Sequence, residues 1–163
     1  MTIKYEGGCL CGAIRYAASK PPSRTVACHC TFCQRFTGSA YNIEVIFEKE
    51  AVELKGDDLR TFDKRSEGSG KTVHVHFCPR CGTTVSLTFE RFPTLRAIMR
   101  GTLDDPNSVK VDRHIFTQSA QNGMVLPAGI ECFEQHPFAL DGTPREATKF
   151  DAPHEISRCI PLA

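Results

Sequence analysis

Apolar residues recur at every second position along much of this chain, which predicts strands rather than helices. The clearest case is 71–77, where Val73, Val75 and Phe77 alternate with His74 and His76. That pattern predicts a strand with the two histidines on a solvated face. Residues 84–89 place Val85, Leu87 and Phe89 on one side, and 40–47 give Tyr41, Ile43, Val45 and Phe47 at period two. In 12–18, Ile14 and Tyr16 share a face opposite Arg15. Residues 96–101 and 113–117 carry a fainter version of the same alternation. Gly, Asp and Pro break these runs at 55–58, 67–70 and 104–107, as turns do. One or two helical turns are expected around Phe32 to Phe36. Many short strands between such turns imply an all-β domain. Periodicity fades after Pro137, so one folded domain is expected over 1–140, with 141–163 as a C-terminal tail or surface arm.

Charge changes this picture by exclusion. Lys and Arg number 20 against 19 Asp and Glu, a formal net charge of +1. So even a balance argues against a nucleic-acid partner, which calls for a basic excess or stripe, and against attraction to anionic membranes. No run of about 18 apolar residues predicts a membrane span. Met1 to Gly8 lacks the apolar stretch of a secretory signal, and the expected location is the cytoplasm.

Cysteine is the unusual residue. There are nine, an odd number that leaves one thiol unpaired in any full intramolecular disulfide scheme. In a reducing compartment, clustered thiols read as metal ligands. Seven fall in three groups: Cys9-x-Cys11, Cys28-x-Cys30-x-x-Cys33, and Cys78-x-x-Cys81 followed by Gly82. The last follows a predicted strand and has the form of a zinc knuckle, which supplies two of the four ligands that structural zinc takes. The division that keeps each cluster intact joins Cys9 and Cys11 to Cys78 and Cys81 and leaves Cys28, Cys30 and Cys33 together. The alternative joins the triplet to one distant cysteine and scatters the rest. A four-thiolate site is closed, whereas a three-thiolate site keeps an open position, the mark of catalytic zinc. Ferredoxin-type spacings for an iron–sulfur cluster are absent. Cys132 and Cys159 stand apart and read as inert buried thiols. Gly70-Lys71-Thr72 imitates the end of a phosphate-binding loop, but Arg65 occupies the position of its first glycine and a strand follows.

The runs Gly8-Cys9-Leu10-Cys11-Gly12, Cys28-His29-Cys30-Thr31-Phe32-Cys33-Gln34-Arg35, Thr37-Gly38-Ser39 and Phe77-Cys78-Pro79-Arg80-Cys81-Gly82 together resemble the glutathione-dependent formaldehyde-activating enzyme family. That family shares its domain with centromere protein V. His114-Ile115-Phe116 and the stretch from Pro127 to Pro137 fit its later pattern, so the resemblance spans about 6–137. It implies an Mss4-like fold of several short, coiled antiparallel sheets around zinc. It implies structural zinc at Cys9, Cys11, Cys78 and Cys81 and catalytic zinc at Cys28, Cys30 and Cys33, two ions per chain, in agreement with the count above. The chain departs from the family between Ser119 and Val125, where an aromatic, usually Trp, is common; this sequence has no Trp.

The expected activity is that of a carbon–sulfur lyase-like enzyme acting on a thiol adduct of the S-hydroxymethylglutathione type. Its partner is a small molecule, with glutathione as co-substrate. Gln34, Arg35, Thr37, Gly38 and Ser39 directly follow the triplet and offer donors for a substrate carboxylate. His114 is a candidate proton shuttle. His29, between two ligands, is expected to point away from the metal. Two other readings stand beside this one: a hydrolase or isomerase using the same open zinc, and a zinc-stabilised binding module without turnover.

Overall fold

The computed structural model describes residues 5–56 and 58–158; Cys159 lies outside them. The strands, in chain order, are β1 (Tyr5–Gly8), β2 (Ile14–Ala18), β3 (Arg24–Cys28), β4 (Asn42–Glu48), β5 (Val52–Gly56), β6 (Arg60–Arg65), β7 (Thr72–Phe77), β8 (Thr84–Phe89), β9 (Leu95–Met99), β10 (Arg113–Ile115), β11 (Val125–Leu126), β12 (Glu131–Cys132) and β13 (His154–Glu155). One α-helix, α1 (Thr31–Thr37), follows β3. The protein is thus mostly β. None of its described helices is long and apolar enough to cross a membrane.

The described residues form two compact units, one within Met1–Thr25 and Ile43–Lys110, the other within Val26–Asn42 and Val111–Ala163. In the first, β1, β2 and β5 make an antiparallel sheet, and β4, β9, β8, β7 and β6 follow one another in a second antiparallel run. The alternation read from the sequence places the core here. Ile14 and Tyr16 of β2 meet Val45 and Phe47 of β4 and Ile98 of β9, all buried. Tyr5 sets its ring edge-on to Phe47 at 5.7 Å between centroids. Such packing of apolar side chains from two inner faces is the main stabilising term of a β domain.

Close backbone approach fixes one corner of this unit. Gly7 bridges Leu103, and the Asp104 N–H donates to the Glu6 carbonyl at 2.9 Å. Tyr16 sets its hydroxyl 2.9 Å from Thr102 Oγ1 over the same spot. A Cβ on Gly7 would stand 2.2 Å from the Thr102 carbonyl oxygen. Arg15, on the opposite face of β2, forms a two-pronged ion pair with Asp104.

The second unit departs from the expected antiparallel plan. Here β10 pairs in parallel with both β3 and β12, while β11 and β13 run antiparallel. Its small core holds Ala120, Leu126, Cys132 and Ile156, with Phe150 and Met124 against it. The stretch after residue 140 returns to this unit. Thr148 bridges Cys132, β13 pairs with β11, and the Arg158 guanidinium donates to the carbonyls of Ala120 and Thr117.

The histidine face of β7 is not the solvated face its pattern suggested. His76 is only partly exposed and lies between Thr61 Oγ1 at 3.0 Å and Thr88 Oγ1 at 2.8 Å, while His74 Nδ1 meets Asp63 Oδ1 at 2.7 Å. The reason is that β6 and β8 flank β7 on both sides and supply polar partners on that face.

Gly7→Ala tests the close approach. The added methyl cannot move against backbone, so the variant is expected to lose about 1–3 kcal/mol in urea unfolding. A loss under about 0.5 kcal/mol would show that the 102–104 segment yields instead.

Candidate metal centres

Two hairpin loops of the first unit deliver four cysteines to one place. After β1 the chain turns at Cys9–Gly12, where Cys9 N–H donates to the Ile14 carbonyl and Gly12 N–H to the Cys9 carbonyl, both at 3.0 Å. After β7 the same device recurs: Cys78 N–H donates to the Thr83 carbonyl and Gly82 N–H to the Cys78 carbonyl, both at 2.9 Å. Gly12 and Gly82 have φ of 76° and 72°, a left-handed conformation that glycine adopts without steric cost. Each turn thereby bends two thiols toward a common point.

The sulfurs of Cys9, Cys11, Cys78 and Cys81 all lie within 4.8 Å of one another. Cys9 Sγ is 3.6 Å from Cys11 Sγ, and Cys11 Sγ is 3.8 Å from Cys78 Sγ. These are not disulfides, and all four thiols are free. Four sulfurs ~2.3 Å from one centre stand roughly 3.8 Å apart at the corners of a tetrahedron, so the spacing fits zinc. Protein donors already serve the sulfurs: Ile14 N–H donates to Cys9 Sγ at 3.3 Å, and Thr83 Oγ1 lies 3.2 Å from Cys81 Sγ. The Thr83 hydroxyl and N–H hold the Cys81 thiol well below its ordinary pKa. Thr83 was not anticipated from the sequence. Its only signal is a hydroxyl residue just after the Cys-x-x-Cys-Gly turn.

The second unit holds the triplet. The sulfurs of Cys28, Cys30 and Cys33 also lie within 4.8 Å of one another. Cys28 ends β3, and Cys33 sits on the first turn of α1, buried. Cys30 is the helix N-cap: its sulfur accepts the Cys33 N–H at 3.3 Å. Hydrogen bonds with the Cys28 and Cys33 thiols, against the opposing effect of burial, push the Cys30 thiol far below its ordinary range. Among the described residues, no fourth Cys, His, Asp or Glu joins the triplet within the same 4.8 Å. Neither His114 nor Cys132 does so; the Cys132 thiol faces the Ile130 carbonyl at 3.6 Å.

His29 stands behind the triplet rather than in it. It is fully buried, and its Nε2 lies 2.9 Å from His114 Nδ1. The rings stack at 5.2 Å, with Tyr41 tilted against His29 at 5.0 Å. Burial, then the neighbouring His114, pushes His29 down to about 4, and burial also lowers His114. His29 Nδ1 is buried without a hydrogen-bond partner among the described residues.

The residues after the triplet divide by direction. The Gln34 carboxamide donates to the carbonyls of His29 at 2.7 Å and Ser119 at 2.8 Å and accepts from Gln121 at 3.0 Å. Thr37 Oγ1 donates to the Cys33 carbonyl at 2.6 Å and accepts the Ser39 N–H at 3.2 Å. Gly38 ends α1 with φ of 65°, the usual left-handed helix stop. Arg35 is exposed, in the last turn of α1. The roles of Ser119 and Gln121 in anchoring Gln34 carried no sequence signal, since they arise from a segment 85 or more residues away.

The fold and the two thiol groups define a small β protein with two clusters able to hold a metal ion, one of four thiols and one of three. The chain matches the model of the glutathione-dependent formaldehyde-activating enzyme family over residues 4–119, and it belongs to that family. A Halomonas elongata protein that bears the provisional name of glutathione-dependent formaldehyde-activating enzyme is 27% identical over 93 residues, 55% of this chain. The matched stretch spans 59% of the length of that relative. The crystal structure of a Rhodobacter sphaeroides protein, a structural-genomics target, is similar with a TM-score of 0.50 over 65% of this chain and 96% of that one. At 18% identity that likeness concerns the fold alone.

Metal analysis of the purified protein is expected to give two zinc ions per chain. Cys78→Ser is expected to lose one ion and unfold, because a structural zinc–thiolate site contributes ~10 kcal/mol or more, comparable to a whole domain's stability of roughly 5–15 kcal/mol. Cys30→Ser is expected to lose the other ion with its fold intact, since serine is itself a favoured N-cap and keeps the Cys33 N–H satisfied. Thermal melts with zinc counts on both variants check this. Equal destabilisation would contradict it.

Proposed function

We propose that this protein adds a small thiol to an aldehyde, and reverses that addition, at the Cys28, Cys30 and Cys33 centre. The chemistry is that of S-hydroxymethylglutathione, with glutathione as the thiol and formaldehyde as the aldehyde. The observation that carries the reading is the triplet itself: three converging sulfurs, with no fourth protein ligand among the described residues. Zinc held there would supply a site at which an incoming thiol loses its proton near neutral pH. Cys9, Cys11, Cys78 and Cys81 would hold a second, structural zinc.

In the forward direction the thiol sulfur bonds to the aldehyde carbon. The carbonyl oxygen takes up a proton equivalent to the one the thiol released, giving a hydroxymethyl thioether. In reverse the carbon–sulfur bond breaks and the aldehyde leaves. Free thiols have a pKa near 8.5, so most are protonated at neutral pH and gain from such a site.

The chain's own residues would position the partners. Gln34 ties the start of α1 to the 119–121 segment, which fixes the helix that carries Cys33. Thr37 and Gly38 close the other end of the same helix. Arg35 and Ser39 are exposed beside it and suit a carboxylate of glutathione, Arg35 as a fork-shaped donor. His114 acts through its bond to His29, which sits between two of the ligands. The Trp common in the family between Ser119 and Val125 is absent here, a difference that would bear on which thiol fits.

The test is carbon-13 exchange spectroscopy on a mixture of glutathione and labelled formaldehyde at equilibrium. Zinc-loaded protein is expected to speed the interchange of free and adduct signals by at least about 100-fold over the same concentration of Cys30→Ser, the range that one positioned catalytic device supplies. Equal rates for the two proteins would overturn the reading and favour a binding module without turnover.

A further inference from the structure

In the second unit, the short helical turn Thr117–Ser119 is gripped by two side chains from distant parts of the chain. Arg158 lays its guanidinium on the end of that turn. Its Nη1 donates to the Ala120 carbonyl at 2.9 Å and its Nη2 to the Thr117 carbonyl at 2.6 Å. Between those two lies the Ser119 carbonyl, which accepts from Gln34 Nε2 at 2.8 Å. The same Gln34 nitrogen donates to the His29 carbonyl at 2.7 Å. Both of its hydrogens thus join the turn to the peptide between Cys28 and Cys30.

The turn has a reason to need such a grip. Phe116, just ahead of it, has φ of 56° and ψ of 37°, and it is the one non-glycine residue with positive φ among the described residues. A bulky side chain in the left-handed region is strained, and the strain persists only where the surroundings over-determine it. Part of that comes from backbone: Thr117 N–H donates to the Phe133 carbonyl and Ser119 N–H to the Phe116 carbonyl, both at 3.0 Å. Arg158 holds the far end, where a cation suits the last carbonyls of a helical turn. Arg158 is itself fixed. Its N–H donates to the Asn122 carboxamide oxygen at 2.8 Å, and its carbonyl accepts from the Asn122 carboxamide nitrogen at 3.2 Å. Ile156, two residues before it, is buried in the small core of this unit.

We propose that Arg158 is a positioning residue for the Cys28, Cys30 and Cys33 centre. It holds the 117–120 turn, and the turn holds Gln34. Gln34 in turn holds the peptide between two of the cysteines and the helix that carries the third. Arg158 lies beyond the family match, which ends at residue 119. The residue as a whole is exposed, so replacing it opens no cavity and removes little besides these bonds. The proposal rests on the reading of the triplet as the working centre, but its test reads the helix and the bound metal rather than turnover.

Release of cobalt from the cobalt-loaded full chain to excess EDTA, followed by thiolate-to-cobalt absorption, tests it. The phase missing from Cys30→Ser reports the triplet, and the other reports the quartet. Arg158→Gln is expected to speed release from the triplet by about tenfold and to leave the quartet within about twofold. Gln34→Leu is expected to speed the triplet at least as much. Because Arg158 acts through Gln34, the double variant is expected to match Gln34→Leu within about twofold. In NMR of Arg158→Gln, the Gln34 carboxamide protons are expected to exchange with solvent about tenfold faster. Unaltered release from the triplet, equal acceleration at both groups, additive effects in the double variant or unchanged Gln34 protection would each overturn the proposal. Where Gln34→Leu does not fold, or the triplet takes no cobalt, Gln34 protection in Arg158→Gln decides. A triplet without metal would sink the thiol reading and leave this linkage to be judged by itself.

Discussion

Four sulfurs drawn to one point from opposite parts of the first unit constrain everything around them. Cys11 and Cys78 are 67 residues apart in sequence and 3.8 Å apart at sulfur. Bare thiolates at that distance repel, and four protonated thiols gain little from one another, so the arrangement calls for a cation. The β1–β2 and β7–β8 hairpins must then end at the same place. Cys9 and Cys78 belong to the same buried cluster as Ile14, Val45, Phe47 and Ile98. The thiol quartet and the apolar core are thus continuous, and order in one is order in the other.

The triplet in the second unit is built on a different principle. Its three sulfurs come from six consecutive residues, and local structure alone holds them: the end of β3, the helix cap at Cys30 and the first turn of α1. Nothing distant needs to meet for the sulfurs to converge. What distant residues do is fix the helix, through Gln34 on Ser119 and Gln121 and through the Ile115 carbonyl, which accepts the His29 N–H at 3.0 Å. The triplet is thus shaped locally, whereas the quartet ties distant parts of its unit together.

Legibility in the sequence followed the same division. The strand β8 was read with its observed ends, because Val85 and Leu87 are buried and the polar positions alternate with them. The cysteine groups were legible because thiols able to share a metal ion carry their own spacing. By contrast β3 was missed: Thr25, Val26, Ala27 and Cys28 are all buried, and a strand covered on both faces shows no alternation. β6 was missed for the opposite reason, being almost wholly exposed and held as a strand by its ladder with β7. The parallel pairing of β10 had no local signal, since it depends on segments far apart in the chain. His76 read as a solvated residue because its partners Thr61 and Thr88 come from the neighbouring strands and leave no local sign.

The shared Cys-x-Cys spacing is met by two backbone shapes. Cys9 and Cys11 converge across the tight turn that the Gly12 N–H closes on the Cys9 carbonyl, and Leu10 between them faces outward, 88% exposed. In extended backbone, successive side chains point to opposite sides, so residues i and i+2 emerge together. Cys28 ends a strand and Cys30 is extended, and the intervening His29 is driven into the interior, 0% exposed. An apolar residue there would merely fill space. A histidine with its N–H on Ile115, its carbonyl on Gln34 and its ring on His114 holds the backbone between two ligands from three directions. The residue between the cysteines therefore separates the two sites. In the first only the backbone of that residue takes part, its N–H donating to Thr83 Oγ1 of the other hairpin at 3.2 Å. In the second it supplies the rigidity that a six-residue loop lacks.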